Sequence, residues 1–192
     1  MTSVYSAIRQ TTVGIFSRTV QTIFAVLLVS TVLISPFTYG QGSDSFPPVT
    51  DAMLQDPAPS DWLMWRRTLD SWGYSPLAEV NRDNVDQLRM VWTHGLGNGT
   101  GEITPLAYDG VLYVPQHNDV IEAIDARTGD QIWEYGRDHP EGLYDYVGVN
   151  ARNNRNIAIF GNLIINTSDD GFVFALDAET GETVWELSLI HI

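Results

Sequence analysis

Ala123-Ile-Asp-Ala-Arg-Thr-Gly-Asp-Gln-Ile-Trp-Glu134 recurs 52 residues later as Ala175-Leu-Asp-Ala-Glu-Thr-Gly-Glu-Thr-Val-Trp-Glu186. Seven of the thirteen positions from 123 to 135 are identical in the second copy, which is more than two hairpins of an ordinary meander would share. Repeats of this period are typical of solenoids, propellers and arrays. The repeat therefore narrows the fold class before any other feature does.

The residues around each copy indicate which repeat fold this is. Asp-Ala-x-Thr-Gly predicts a hairpin turn, because the Asp carboxylate accepts backbone N–H bonds and Gly adopts positive φ. The strand after the turn carries Trp133 or Trp185, which we expect to pack between neighbouring sheets. Four short strands in about 50 residues make one propeller blade. Short β-rich runs precede the two turns at residues 111–114, 120–124, 162–165 and 172–176.

The N-terminal region has a different composition from the rest. Residues 1–43 contain Arg9 and Arg18, no acidic residue and an apolar centre at 23–34. This pattern predicts a signal peptide over residues 1–40, with an uncleaved anchor helix as the alternative. Residues 41–60 predict a Pro-rich extended leader without secondary structure.

Residues 61–192 then form the N-terminal part of a propeller. A propeller needs at least about four blades to close, and this length holds only two to three. We therefore expect the chain to be a truncated piece of a longer protein.

Composition excludes several functions. The net charge is −14, all ten cations are arginine, and 44% of residues are hydrophobic. These values exclude a disordered tail and argue against nucleic-acid binding. The absence of cysteine excludes disulfides, thiolate metal sites and cysteine nucleophiles.

Other candidate metal-binding residues have simpler interpretations. His94, His117 and His139 are isolated and predicted to be structural or exposed. Asp169-Asp170-Gly171 is interpreted as a polar turn rather than a calcium loop.

The segment before the first repeat carries further motifs. Asn81 is predicted to cap a short helix over 81–88, and residues 88–92 are predicted to form a strand that could belong to the blade closing the ring. Trp-Gly-Tyr-Ser-Pro-Leu at 72–77 and Glu-Ile-Thr-Pro-Leu at 102–106 precede Asp-Gly-Val-Leu-Tyr at 109–113. Together with the repeats, these motifs resemble the start of pyrroloquinoline quinone (PQQ) dependent alcohol dehydrogenases over residues 60–187.

The resemblance implies an all-β, eight-bladed propeller in the full protein, located in the periplasm, with PQQ and calcium as cofactors. It implies oxidation of an alcohol to an aldehyde, with electrons passed to a cytochrome c or another quinone-linked acceptor. This piece alone is expected to be inactive. Membrane contact is expected only if the N-terminal segment stays uncleaved.

The resemblance also assigns two cofactor-binding residues. Glu102 stands where the family has a glutamate that contacts the quinone cofactor. Asn154-Arg155-Asn-Ile-Ala158 matches the family stretch that supplies an arginine, with Asn156 in place of a glycine. The catalytic Asp and the calcium ligands are expected beyond residue 192, so no catalytic or metal residue is assigned. Many family members carry adjacent cysteines near the position of Val149-Asn150, and this chain has none.

Two other interpretations remain open. A non-catalytic propeller could use the same repeats as a protein-binding scaffold, but it would be expected to lack the matches at Glu102 and Arg155. A membrane-bound sugar or polyol quinoprotein would need several N-terminal spans, whereas the sequence has one candidate segment.

Overall fold

The computed structural model describes residues 46–99, 101–147 and 155–190, all of which lie in the compact unit Ser45–Ile192. The predicted signal peptide, residues 41–45 of the leader, and Val149-Asn150 lie outside the described residues. No helix within these ranges has the length and apolar character needed to span a membrane. The elements, in chain order, are helix α1 (Asp51–Gln55), a 3-10 turn (Val85–Gln87), strands β1 (Leu106–Tyr108) and β2 (Val111–Pro115), a second 3-10 turn (His117–Asp119), strands β3 (Ile121–Asp125) and β4 (Gln131–Tyr135), helix α2 (Leu143–Val147), and strands β5 (Ala158–Phe160), β6 (Leu163–Thr167), β7 (Phe172–Asp177) and β8 (Thr183–Ser188).

The strands form two antiparallel sheets with the orders β1-β2-β3-β4 and β5-β6-β7-β8. Each strand pairs with the next one along the chain, so each repeat is a four-stranded meander, as the sequence predicts. The pairing register shifts after Ala123 in the first sheet and after Ala175 in the second. These two residues are equivalent in the repeat, so even this irregularity is encoded locally.

The Asp-Ala-x-Thr-Gly turns join the last two strands of each sheet. Asp125 Oδ1 accepts the backbone N–H groups of Arg127 at 2.8 Å and Thr128 at 3.2 Å. Gly129 adopts φ 77°, and its N–H donates to the Asp125 carbonyl at 2.8 Å. Asp177 Oδ1 accepts two equivalent backbone N–H bonds at 3.0 Å in the second turn. The predicted turn chemistry is confirmed in both copies.

The hydrophobic core lies between the two sheets. Trp133 is 8% exposed, and its indole N–H donates to the Ala178 carbonyl of the second turn at 3.0 Å. The hydroxyl of Tyr113 donates to the same carbonyl at 3.3 Å, and burial raises the pKa of that hydroxyl. The predicted packing role of Trp133 is confirmed. The core also includes Leu106, Tyr108, Ile121, Ile157, Ile159, Ile164, Phe174 and Leu176.

The described part of the leader contradicts one prediction. Residues 46–60 are not free of secondary structure, because α1 forms there and the Thr50 hydroxyl accepts the Met53 N–H at 3.4 Å as its N-cap. Val49 is fully buried and exchanges two backbone hydrogen bonds of 2.8 Å with Gly161. The leader is therefore packed onto the second sheet, where it buries the side chain of Val49.

The prediction for residues 81–88 holds only in part. The Asn81 side chain accepts the Asp83 N–H at 2.9 Å, as a capping residue does, but only Val85–Gln87 is helical. Residues 88–92 have no ladder partner in the described chain, and their place in the blade that closes the ring stays a prediction. Trp92 nevertheless reaches the first sheet, where its indole N–H donates to the Ala126 carbonyl at 3.1 Å.

Candidate cofactor site

Glu102 and Arg155, the two predicted cofactor-binding residues, are in direct contact. Nε and Nη2 of Arg155 lie 2.8 Å and 2.7 Å from the same Glu102 oxygen, Oε2. The residues are 53 positions apart in sequence. They meet because Glu102 shortly precedes the first strand of one sheet and Arg155 shortly precedes the first strand of the other, so both lie at the same end of adjacent sheets.

The backbone beneath the pair is fixed, whereas the side chains are exposed. The Thr104 N–H donates to the Arg155 carbonyl at 2.9 Å, which ties the two lead-in segments together. Leu106 and Ile157 are buried and anchor the chain just after each residue. The side chains of Arg155 and Glu102 keep 62% and 61% of their surface accessible. The backbone of the site is therefore anchored to the two sheets, and it presents a charged pair to solvent.

The pair has little value for stability, because exposed ion pairs contribute only about 0–1 kcal/mol. Arg137 illustrates the contrast: its side chain is 9% exposed and bridges Asp170 and Glu186 at 2.8 Å and 2.7 Å. An exposed guanidinium with a planar fork of donors suits bidentate binding of a carboxylate. Both contacts with Glu102 use Nε and Nη2 of Arg155.

The comparisons with known proteins identify the fold and family. A family model described as "PQQ: Glucose/ethanol/alcohol dehydrogenase, beta-propeller domain" matches residues 62–187, which include both sheets and the Glu102–Arg155 pair. The chain belongs to this family. The predicted β-propeller fold and the predicted PQQ alcohol dehydrogenase family are thereby confirmed.

Individual relatives agree with this assignment. The chain is 33% identical over 174 residues to the dehydrogenase subunit of the quinone alcohol dehydrogenase of Gluconacetobacter polyoxogenes, covering 90% of this chain and 23% of the relative. It is 38% identical over 117 residues to the 1-butanol dehydrogenase (cytochrome c) of Thauera butanivorans, covering 59% and 16%. The solved quinohemoprotein alcohol dehydrogenase of Pseudomonas putida HK5 superposes with a TM-score of 0.68 and 31% identity, covering 76% and 22%. The chain thus spans less than a quarter of each relative.

Other family features remain predictions. The contacts of Glu102 and Arg155 with a cofactor are carried over by motif, and the structure adds that the two side chains form one site. No group of three His, Cys, Asp or Glu side chains in the described ranges could hold a metal ion. The chain has no cysteine, so a disulfide cover over the cofactor is excluded.

The predicted turn at Asp169-Asp170-Gly171 is confirmed, since the Gly171 N–H donates to the Ser168 carbonyl at 3.1 Å. Burial, followed by the nearby Asp119 carboxylate, raises the pKa of Asp169. The neighbouring Asp170 is taken up by the Arg137 ion pair. The loop therefore joins the second sheet to the segment after β4 through the Arg137–Asp170 ion pair.

Two histidine–carboxylate pairs in the structure were not predicted from the sequence. His94 Nε2 lies 2.9 Å from Glu122 Oε2, and His139 Nε2 lies 3.0 Å from Asp119 Oδ2. Each pair joins parts of the chain at least 20 residues apart, so no local spacing reveals it. The sequence did indicate that two carboxylates lie together at one of these places. Glu122 and Glu134 flank the predicted turn, and a hairpin places such residues opposite each other.

Proposed function

We propose that this chain forms part of a PQQ-dependent dehydrogenase that oxidises alcohols to aldehydes and passes the electrons to a cytochrome c or a quinone-linked acceptor. The observation that carries the proposal is the preformed Glu102–Arg155 pair at the ends of two adjacent blades, in a chain that belongs to the PQQ alcohol dehydrogenase family. The relatives' names, which include quinone and cytochrome c acceptors, support the reaction class and the type of partner.

The residues present fit this cofactor. PQQ is a polyanion, and the exposed fork of Arg155 is the side chain best suited to hold one of its carboxylates. Glu102 would repel an anion if it stood alone, but its charge is compensated by Arg155 at 2.7 Å. In this arrangement Arg155 binds and orients the cofactor, and Glu102 orients Arg155. When bound, PQQ supplies the redox chemistry by accepting the hydride equivalent of the alcohol.

We also propose that the full protein binds calcium and lies in the periplasm. Because the described residues offer no metal site, the proposal assigns no calcium ligand to them. The basic, apolar and acid-free composition of residues 1–40 supports export as a signal peptide, and an uncleaved segment would act as a membrane anchor.

Replacement of Arg155 in the full-length protein tests the proposal. We expect Arg155→Ala to weaken PQQ binding about 10- to 100-fold, because charge-assisted hydrogen bonds are worth about 1.5–3 kcal/mol. Arg127→Ala is the matched control, since Arg127 is also an exposed arginine paired with a carboxylate, but in the turn at the far end of the first sheet. We expect it to leave the affinity unchanged. The measurement is a PQQ titration followed by the absorbance of the cofactor.

Each outcome of the titration has a clear meaning. Unchanged affinity in Arg155→Ala would remove this arginine from the site. A wild-type protein that binds no PQQ would favour the non-catalytic scaffold over the dehydrogenase.

A further inference from the structure

The junction between the two sheets is built around the guanidinium group of Arg137, which follows β4. This group bridges the carboxylates of Asp170 at 2.8 Å and Glu186 at 2.7 Å. Its central carbon lies 5.0 Å from the ring centre of Phe172 and 5.3 Å from that of Phe174. Carboxylates at the edge and aromatic rings at the face are the partners that a guanidinium prefers. The second sheet therefore shows how this fold holds a guanidinium group beside a blade.

At the corresponding place beside the first sheet, a leucine stands instead of an arginine. The Trp92 indole donates to the first turn as the Trp133 indole donates to the second turn. Arg137 follows Trp133 by four residues, and the residue that follows Trp92 by four is Leu96. The Leu96 side chain is half exposed and lines an open cleft of about 480 Å³. This segment therefore brings no guanidinium to the first sheet.

The same cleft is lined by the residues that correspond to the partners of Arg137. The repeat offset of 52 residues relates the two sets, and strand pairing in the two sheets follows that offset. None of the arginines that the structure describes lines the cleft. The corresponding lining residues are Asn118 for Asp170, Val120 for Phe172, Glu122 for Phe174 and Glu134 for Glu186.

The charges in the cleft are those of a cation site. Glu122 stands where the second sheet has the fully buried ring of Phe174, although a buried carboxylate is costly unless it is compensated. It lies opposite Glu134, and like charges at such positions are destabilising. A hydrogen bond to Glu122, and then desolvation, raises the pKa of Glu134. His94 Nε2 lies 2.9 Å from one Glu122 oxygen, but Glu134 forms no ion pair within the described residues.

We propose that this cleft binds a guanidinium group, with the Glu134 carboxylate and Asn118 Oδ1 as its acceptors. The buried Asn118 Oδ1 has no hydrogen-bond partner in the described part of the chain, so it is available to a donor. The planar donors of a guanidinium can reach two acceptors at once, and its charge compensates the facing carboxylates. The group belongs either to a free ligand or to an arginine in a part of the full-length protein outside this chain.

A titration of the full-length protein with methylguanidinium tests the chemistry of the cleft. Methylurea is the matched control ligand, because it has nearly the same shape but no charge. We expect methylurea to bind at least tenfold more weakly, since charge-assisted hydrogen bonds are the stronger ones. Ligand-observed NMR measures both affinities. Equal binding of the two compounds would overturn a guanidinium site.

Two variants assign the binding to the cleft. Glu134→Gln should weaken the binding of methylguanidinium at least tenfold, because it removes the charged acceptor. Glu182→Gln is its control, since Glu182 is another exposed glutamate but lies in the second turn and does not line the cleft. Leu96→Arg should abolish binding, because the new side chain can fill the cleft as Arg137 fills the second junction. Binding that survives in both Glu134→Gln and Leu96→Arg would contradict the proposal.

Thermal unfolding separates the two sources of the guanidinium group. If no arginine of the full-length protein reaches the cleft, Glu134→Gln removes the repulsion with Glu122 and raises the unfolding temperature. If such an arginine fills the cleft, the same variant lowers the unfolding temperature, and methylguanidinium does not bind the wild type. A wild type that binds no methylguanidinium, together with a Glu134→Gln protein of equal or higher unfolding temperature, would overturn the site. None of these readings uses PQQ, so they are independent of the proposed function.

Discussion

The two sheets have the same topology and the same turn chemistry, but they bury their tryptophans to different extents. Trp133 lies opposite Ala123 and is 8% exposed, whereas Trp185 lies opposite Ala175 and is 38% exposed. Strand pairing and register shift are equivalent in the two sheets. The difference in tryptophan exposure therefore does not come from the sheet itself. It comes from the part of the chain that lies beside the last strand of each sheet.

The neighbour of Trp133 is the second turn. The Ala178 carbonyl accepts its indole N–H, and Gly181 leaves room for the ring, since a Cβ there would lie 2.6 Å from Trp133 Cε3. Trp92 uses the first turn in the same way: it donates to Ala126 and stacks on Gly129, where a Cβ would lie 2.7 Å from the ring. The turn of one blade is thus the docking site for the tryptophan that precedes that blade.

The largest effect should come from removing the docked ring. We expect Trp133→Ala to lower the free energy of unfolding by about 3–5 kcal/mol, the range for a large buried aromatic side chain. The same change at Trp185 should cost less, because more of its surface is already accessible. Urea denaturation of both variants gives the comparison. Equal losses would mean that docking on the second turn adds nothing to the blade's own stability.

A smaller effect should come from the glycine under the ring. Gly181 has φ 73° and Gly110 has φ 78°, so alanine at either position costs about 1–2 kcal/mol of backbone strain. A Cβ at Gly110 meets nothing within 4 Å, whereas one at Gly181 meets Trp133. Gly181→Ala should therefore cost about 1–3 kcal/mol more than its control Gly110→Ala.

A double-mutant cycle tests whether the ring causes this difference. In a Trp133→Ala background, the extra cost of Gly181→Ala should disappear, because the side chain that it meets has been removed. An extra cost that persists would assign it to the turn rather than to docking.

The comparison also shows which parts of the fold follow from sequence. The turn, the tryptophan position and the last three strands of each sheet repeat because each depends on residues within one hairpin, and these were predicted. The first strand of each sheet, β1 and β5, was not placed from the sequence. Residues 88–92 were predicted as a strand of the blade that closes the ring; a strand needs a partner, and none lies beside them in the described chain, so that prediction stays open. The predicted helix over 81–88 is reduced to a 3-10 turn at Val85–Gln87, although Asn81 makes the capping bond to the Asp83 N–H.

The candidate site also has a part that was predicted from sequence, the residue identities, and a part that was not, their contacts. Glu102 and Arg155 were named from motifs, but their ion pair depends on how two sheets lie side by side, which no local pattern specifies. The contact of His94 with Glu122 is of the same kind, since it joins an unpaired segment to a strand 28 residues away. The family motifs named Glu102 and Arg155 as candidates, and packing between the sheets brings the two side chains together.

The smallest effect concerns pH and the first turn. The backbone N–H of Arg127, followed by its side chain, holds the pKa of Asp125 below the ordinary value of 3.8. The folded turn therefore binds fewer protons than the unfolded chain, so the contribution of Asp125 to stability is present above about pH 4 and is lost as the pH falls further. Because the turn is exposed, we expect only a small change.

Asp125→Asn isolates this contribution. The amide oxygen can still accept the two backbone N–H bonds, so the variant removes the titrating charge but keeps the turn. Its urea midpoint should lie slightly below that of the wild type at pH 7 and converge with it near pH 2, where the wild-type carboxyl is neutral. A gap that is equally large at both pH values would mean that the turn depends on the shape of Asp125 rather than on its charge. Trp92, docked on the neighbouring Ala126 carbonyl, should keep its hydrogen bond in either case, because the backbone of the turn stays in place.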